Sequence, residues 1–129
     1  YTEDIDDQWR WICYRGAVKS SLRGARGQAL LRDLVAALDA MPQKRLIEGS
    51  FSERDGCCAL GAVGLFRGVP VDDLDPDDDQ SRVAHRFSIA ESLAREVMFI
   101  NDEDTTRETP EQRWQRVRRW AVNQIAGEA

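Results

Sequence analysis

Ten consecutive residues, Cys57-Cys58-Ala59-Leu60-Gly61-Ala62-Val63-Gly64-Leu65-Phe66, carry no charge and no strongly polar side chain. A segment that is apolar on every side has to be buried on every side, and this one is well short of the roughly 20 residues that span a bilayer. It therefore belongs at the centre of a protein core. Gly61 and Gly64 cost about 1 kcal/mol each relative to alanine in a helix interior, and they allow a neighbouring element to come close. The spacing predicts a central helix that Gly68-Val69-Pro70 closes, with the rest of the chain packed around it.

The flanking segments read as helices too. From about Gln28, residues Leu30, Leu31, Leu34, Val35, Leu38 and Met41 recur in helical period, and Pro42 ends the run. Before it, Asp6 or Asp7 caps a helix expected to turn Trp9, Ile12, Cys13, Val18 and Leu22 toward the core and to stop near Gly24 or Gly27. Thr109-Pro110-Glu111-Gln112 combines an N-cap, a proline in the first helical position and a capping-box glutamine. The helix it opens has Trp114, Val117, Ala121 and Ile125 on its apolar face, with Arg113, Arg116 and Arg119 on another side. Between Lys44 and Phe51, ahead of a turn at Asp55-Gly56, the pattern fits a short strand or hairpin and fits a loop equally. With 129 residues the expectation is one domain, residues 1–129, mainly α, a compact bundle of about five helices with room for one short β-hairpin.

Charge is sorted along the chain. From Gln8 to Arg32 every charged residue is basic, and Arg15, Lys19 and Arg23 follow at fourfold spacing in one line. Asp72, Asp73, Asp75, Asp77, Asp78 and Asp79 crowd a single acidic stretch. Opposite fields on a small surface suit a binding protein. The acidic stretch, with the highest local charge density, is the favoured contact, because closely spaced carboxylates imitate nucleic-acid phosphates. The basic line with Trp9, Trp11 and Tyr14 is the other candidate: these are the residue types that anchor protein interfaces, and they also stack on single-stranded nucleic acid. A net charge of -5 opposes attraction of the whole molecule to nucleic acid or to an anionic membrane. No apolar run is long enough to cross a membrane, and Tyr1-Thr2-Glu3-Asp4 has neither a basic nor an apolar leader region. Three cysteines, two of them adjacent, fit a reducing compartment, so a cytoplasmic location is expected.

Catalytic and metal chemistry find little support. An EF-hand needs a turn glycine and a distal glutamate in register, and neither follows Asp73 or Asp75. Zinc would have to use Cys13, Cys57, Cys58 and His85, which contain no C-x-x-C pair. A cysteine in an apolar helix is a poor nucleophile, so Cys57 and Cys58 with His85 as base make a weak enzyme, and packing accounts for both thiols better. No enzyme, metal or cofactor is expected. Val83 to Val97 has the apolar spacing of a helix-turn-helix through Val83, Ala84, Phe87, Ile89, Ala94 and Val97. Ser88 stands where glycine is usual, and Glu91 and Glu96 would face phosphates beside only Arg95, so specific DNA binding is not expected. A small DNA-binding regulator is the alternative function.

The order of a basic first helix, Cys58-Ala59-Leu60-Gly61, the Asn101-Asp102 pair after a helix and the closing Thr109-Pro110-Glu111-Gln112-Arg113-Trp114 helix resembles small uncharacterised accessory proteins of bacterial viruses and prophages. The resemblance implies a phage-encoded inhibitor or adaptor that binds a host protein or nucleoprotein complex, including defence systems such as CRISPR complexes. It transfers no catalytic residue.

Overall fold

The computed structural model describes residues 2–48, 52–53, 56–75, 79–102 and 108–125. Among them are six helices: α1 (Thr2–Arg23), α2 (Ala25–Ala40), α3 (Ala59–Arg67), α4 (Gln80–Phe87), α5 (Glu91–Asp102) and α6 (Pro110–Gln124). Two short strands, β1 (Ser52–Glu53) and β2 (Gly56–Cys57), pair antiparallel, with Ser52 opposite Cys57. The fold is mainly α, as the periodicity predicts. The hairpin lies just after the Lys44–Phe51 stretch where a strand was considered; there Ile47 N instead donates to Cys57 O at 3.0 Å, and Leu46 N to Pro110 O at 3.0 Å.

Two helices organise the bundle. α1, α3 and α6 each pack against both α2 and α5, and α4 packs on α5. The core between them is built from Leu30, Leu31, Leu34, Leu38, Leu60, Val63, Phe87, Leu93, Val97 and Val117, all nearly inaccessible. The apolar segment is central through Gly64, but Leu65 and Phe66 emerge at 74 % and 49 % exposure. The last turn of α3 runs past the core, where Arg67 fixes it by donating to Asp33 at 2.6 Å and to Phe87 O at 3.0 Å. Gly64 permits the expected close approach: a Cβ there would sit 3.2 Å from Val69 O and 3.5 Å from Phe87.

The joint between α1 and α2 is a single residue, Gly24. The chain folds back so tightly that a Cβ on Gly27 would fall 1.7 Å from Ser21 O, which only glycine avoids. Buried Gln28 then donates to Leu22 O, a carbonyl that the joint leaves open, at 2.5 Å, and to Gln124 O at the end of α6 at 3.1 Å. α6 begins with the predicted capping box: Thr109 N donates to Gln112 Oε1 at 2.9 Å, and Gln112 N to Thr109 Oγ1 at 3.1 Å.

The polar residues of α6 depart from the expectation. Arg113 is only 8 % exposed, because it turns inward to donate to Asn101 O at 2.9 Å and Leu46 O at 3.3 Å. Asn101, 1 % exposed, accepts from Ala59 N at 2.9 Å at the start of α3 and donates to Ile47 O at 2.9 Å. Arg116 pairs with Glu108 at 2.6 and 3.0 Å. This network joins α3, α5, α6 and the 41–48 segment where backbone groups would otherwise be buried unpaired.

Candidate functional site: the aromatic and basic end of helix α1

Helix α1 is 22 residues long, about 33 Å at the usual rise, and among its described side chains, residues 8–23, contact with the core begins only at Tyr14. Val18 and Leu22 are buried, whereas residues 8–13 are all exposed. The helix starts at Thr2, before the expected caps Asp6 and Asp7. Trp9 and Ile12, expected in the core, are 65 % and 59 % exposed, and Cys13 is exposed with them. The reason is angular: at about 100° per residue, Trp9 and Ile12 lie roughly 130° around the helix from Val18 and Leu22, so one core cannot take both pairs.

The inward face of α1 runs antiparallel to α5. Ser21 meets Ser92 at 3.2 Å, and farther back Tyr14 donates to Glu96 at 3.4 Å and Arg15 at 3.0 Å. Glu96, 6 % exposed, is thus a buried carboxylate held by a hydroxyl and a guanidinium. Burial, then the neighbouring Glu96 charge, pushes the Tyr14 phenol above its usual range. Trp11 stacks on Tyr14 with ring centres 6.0 Å apart, and the Arg15 guanidinium sits over the Trp11 ring at 5.8 Å. Trp11 remains 62 % exposed, and Phe99 on α5 is 60 % exposed. Arg10, Lys19 and Arg23 are exposed along the same helix. The helix therefore presents aromatic surface beside cations, of which Arg15 is oriented by Glu96, an arrangement able to bind an acidic surface with apolar neighbours.

The acidic stretch is arranged differently. Asp73 receives two bonds from Arg86, at 2.8 and 3.0 Å, and one from Arg82 at 3.0 Å. These guanidinium bonds, Arg86 first, hold its carboxyl down at about 2. Asp79, at the start of α4, accepts from Asp75 N at 3.0 Å and lies 3.5 Å from Arg82. Asp72 is exposed, and Asp77 and Asp78 lie outside the described residues. Among the described aspartates, Asp73 and Asp79 are thus balanced by Arg86 and Arg82 within the fold. Of the basic line, Arg15 is engaged by Glu96, and Lys19 and Arg23 extend from it along the exposed part of the helix.

α4 and α5 do pack as the helix-turn-helix spacing predicts. Val83, Ala84, Phe87, Ile89, Ala94 and Val97 are all buried, and Ser88 turns the chain in the left-handed conformation, φ 57° and ψ 45°. Ser92 and Glu96, however, are committed to α1. Cys57 and Cys58 are buried; burial raises both thiols, that of Cys58 to about 12, so neither offers a thiolate near neutral pH. Cys58 serves as the N-cap of α3, accepting from Gly61 N at 3.5 Å. Among the described residues no three His, Cys, Asp or Glu side chains converge as a metal would need, and no helix is long and apolar enough to cross a membrane.

Sequence reasoning missed Phe99. Its signal was an apolar residue off the buried Leu93–Val97 face of α5, visible only once the phase of that helix is known. No protein-family model, curated protein or solved structure matches this chain.

Proposed function

We propose that this chain is a non-catalytic protein-binding domain, an inhibitor or adaptor of the kind that bacterial viruses direct at host complexes. It docks through the Arg10, Trp11, Tyr14, Arg15 and Phe99 surface onto an acidic patch of its partner. The observation that carries the reading is the exposure of Trp11 at 62 % while its ring contacts both Tyr14 and Arg15. A large aromatic side chain held in place in solvent has little ordering entropy left to lose on binding, and Trp, Tyr and Arg are the residues on which interface energy concentrates. The internal pairing of Asp73 and Asp79 favours this surface over the acidic stretch.

The reading is tested by affinity capture from a bacterial host with the full chain and with Trp11→Ala/Arg10→Glu. Specific capture by the parent chain and its loss in the variant are expected. Equal capture by both, or loss only when Asp72 and Asp75 become Asn, contradicts it.

The packing of α4 on α5 keeps a DNA-binding regulator as the second reading. A regulator would shift a specific duplex at physiological salt with a Kd of about 10⁻⁸ to 10⁻¹¹ M. The commitment of Ser92 and Glu96 to α1 weighs against it, and no such shift is expected.

A further inference from the structure

The seam between α1 and α5 runs one turn past its last packed contact. The two helices are antiparallel, and two contacts set their register: Ser21 meets Ser92 at 3.2 Å, and Arg15 meets Glu96 at 3.0 Å. One further turn, at about 1.5 Å of rise per residue, brings Trp11 level with Phe99. Helical phase puts both on the facing sides. Trp11 lies about 20° around α1 from Val18 and from Leu22, and Phe99 about 20° around α5 from Ser92. Side chains that face each other across a packed helix pair are buried, as Val18 and Leu22 are, yet Trp11 and Phe99 are both largely exposed. Trp11 stacks on Tyr14 of its own helix, the one stacked ring pair among the described residues. The seam therefore ends in an open turn with an aromatic wall on each helix.

The rim of that turn is positive. The Arg15 guanidinium sits over the Trp11 ring at 5.8 Å, gives one nitrogen to Glu96 and remains partly exposed. Arg10, next to Trp11, is exposed and pairs with no acid among the described residues. An apolar side chain entering the turn covers both rings, and a carboxylate beside it meets the two guanidiniums. A second copy of this chain is a poor fit: among its described exposed apolar residues outside α1 and α5, Leu65 and Phe66 precede Arg67, and Val122 lies one turn from Arg118 and Arg119. Resting on the proposed docking surface, we infer that the turn takes one apolar side chain of an acidic partner segment, inserted between Trp11 and Phe99, with a neighbouring carboxylate on Arg10 and Arg15. The partner is thereby recognised by an anchor and its adjacent acid, and not by negative charge alone.

Two alanine-based helical peptides test this by NMR titration into the isotope-labelled full chain. Each has a single central leucine, flanked one turn before and after by glutamate in one peptide and by lysine in the other. The glutamate peptide should move the Trp11 indole N–H and the Phe99 amide along one saturating curve. Changing its leucine to alanine, or using the lysine peptide, should weaken binding about tenfold or more. Phe99→Ser should weaken it similarly and Phe99→Leu should not, both with unchanged helical circular dichroism, since the residue is already exposed. Equal binding of the two peptides overturns the charged rim. Binding indifferent to Phe99→Ser, or no shift at millimolar peptide, overturns the inserted anchor. So does a nuclear Overhauser contact between the Trp11 and Phe99 rings in the free chain, which would close the seam on itself, or a Trp11 signal that moves with protein concentration alone, which would assign the turn to a second copy. Host capture that survives Trp11→Ala/Arg10→Glu removes the proposed function whatever the peptides do. Capture lost in that variant without peptide binding removes only the inserted anchor, so the two fail separately.

Discussion

Glu96 of α5 and Arg15 of α1 form an ion pair at 3.0 Å in which the carboxylate side chain is 8 % exposed and the guanidinium side chain 39 %. The pair closes α1 onto α5 and fixes the cation that sits over Trp11. One contact thereby ties packing to the proposed docking surface. Arg15→Ala should cost about 1–3 kcal/mol, because Glu96 stays buried with only the 3.4 Å bond from Tyr14. Arg15→Met/Glu96→Leu should recover most of that loss, since apolar replacement removes both desolvation penalties. Chemical denaturation of the three chains checks this, and a double variant no more stable than Arg15→Ala would speak against the pair's role.

The acidic stretch should titrate unevenly. Asp73 has its carboxyl lowered from 3.8 to about 2, chiefly by its hydrogen bonds from Arg86. A lowered native value means that the native state holds the proton less readily than the unfolded chain. The resulting stability is present above the unfolded value and fades as pH falls from about 4 toward 2. The contribution is small and salt-sensitive, because the pair is exposed. Carbon-detected NMR titration should place the Asp73 midpoint near 2 and return it toward 3.8 in Arg86→Ala.

Asn101 should be among the costliest polar residues to lose. It bonds at once to Ala59 N, to Ile47 O and to Asp102, and its own carbonyl receives Arg113. Asn101→Ala leaves the buried Ala59 N unpaired, at about 1–3 kcal/mol, and strips the partly buried Ile47 O of its donor. Asn101→Asp keeps the acceptor for Ala59 N but turns a carboxylate oxygen toward the Ile47 carbonyl. Both variants should melt well below the parent chain by calorimetry, whereas Arg119→Ala, at an exposed position of α6, should not.

Some of this was legible in the sequence. The capping box at Thr109, the apolar period of α2 and the buried run through Gly64 follow from rules acting within a few residues, and each stands where the pattern puts it. The site was less legible. Trp9, Trp11, Ile12, Val18 and Leu22 surround α1, and only the position of α5 decides which of its apolar faces is inward. Asp73 and Arg86 are 13 residues apart, and Arg15 and Glu96 are 81 apart, so neither neutralisation shows in a local count of charge. Helical period puts Arg113 off the apolar face of α6, and its burial does not show there because its acceptors are carbonyls from distant segments.

Ser88 offers a gain of stability. It is the one described non-glycine residue with positive φ, 57°, at the turn between α4 and α5. The left-handed conformation costs an L-residue roughly 1–2 kcal/mol, a penalty that glycine lacks. Ser88→Gly should therefore stabilise the domain by about 0.5–1 kcal/mol, after glycine's larger loss of chain entropy. Its thermal midpoint should rise; a fall would show that the hydroxyl contributes a contact worth more than the strain.

The proposed docking through the aromatic and basic end of α1, and not through the aspartates, is open to direct measurement. Isothermal titration calorimetry against the captured host component separates the two, using Trp11→Ala/Arg10→Glu and Asp72→Asn/Asp75→Asn in parallel. The account predicts that the first variant loses at least about 2 kcal/mol, near thirtyfold in Kd, while the second binds as the parent does. Full affinity in the Trp11 variant, with binding lost in the aspartate variant, would contradict it.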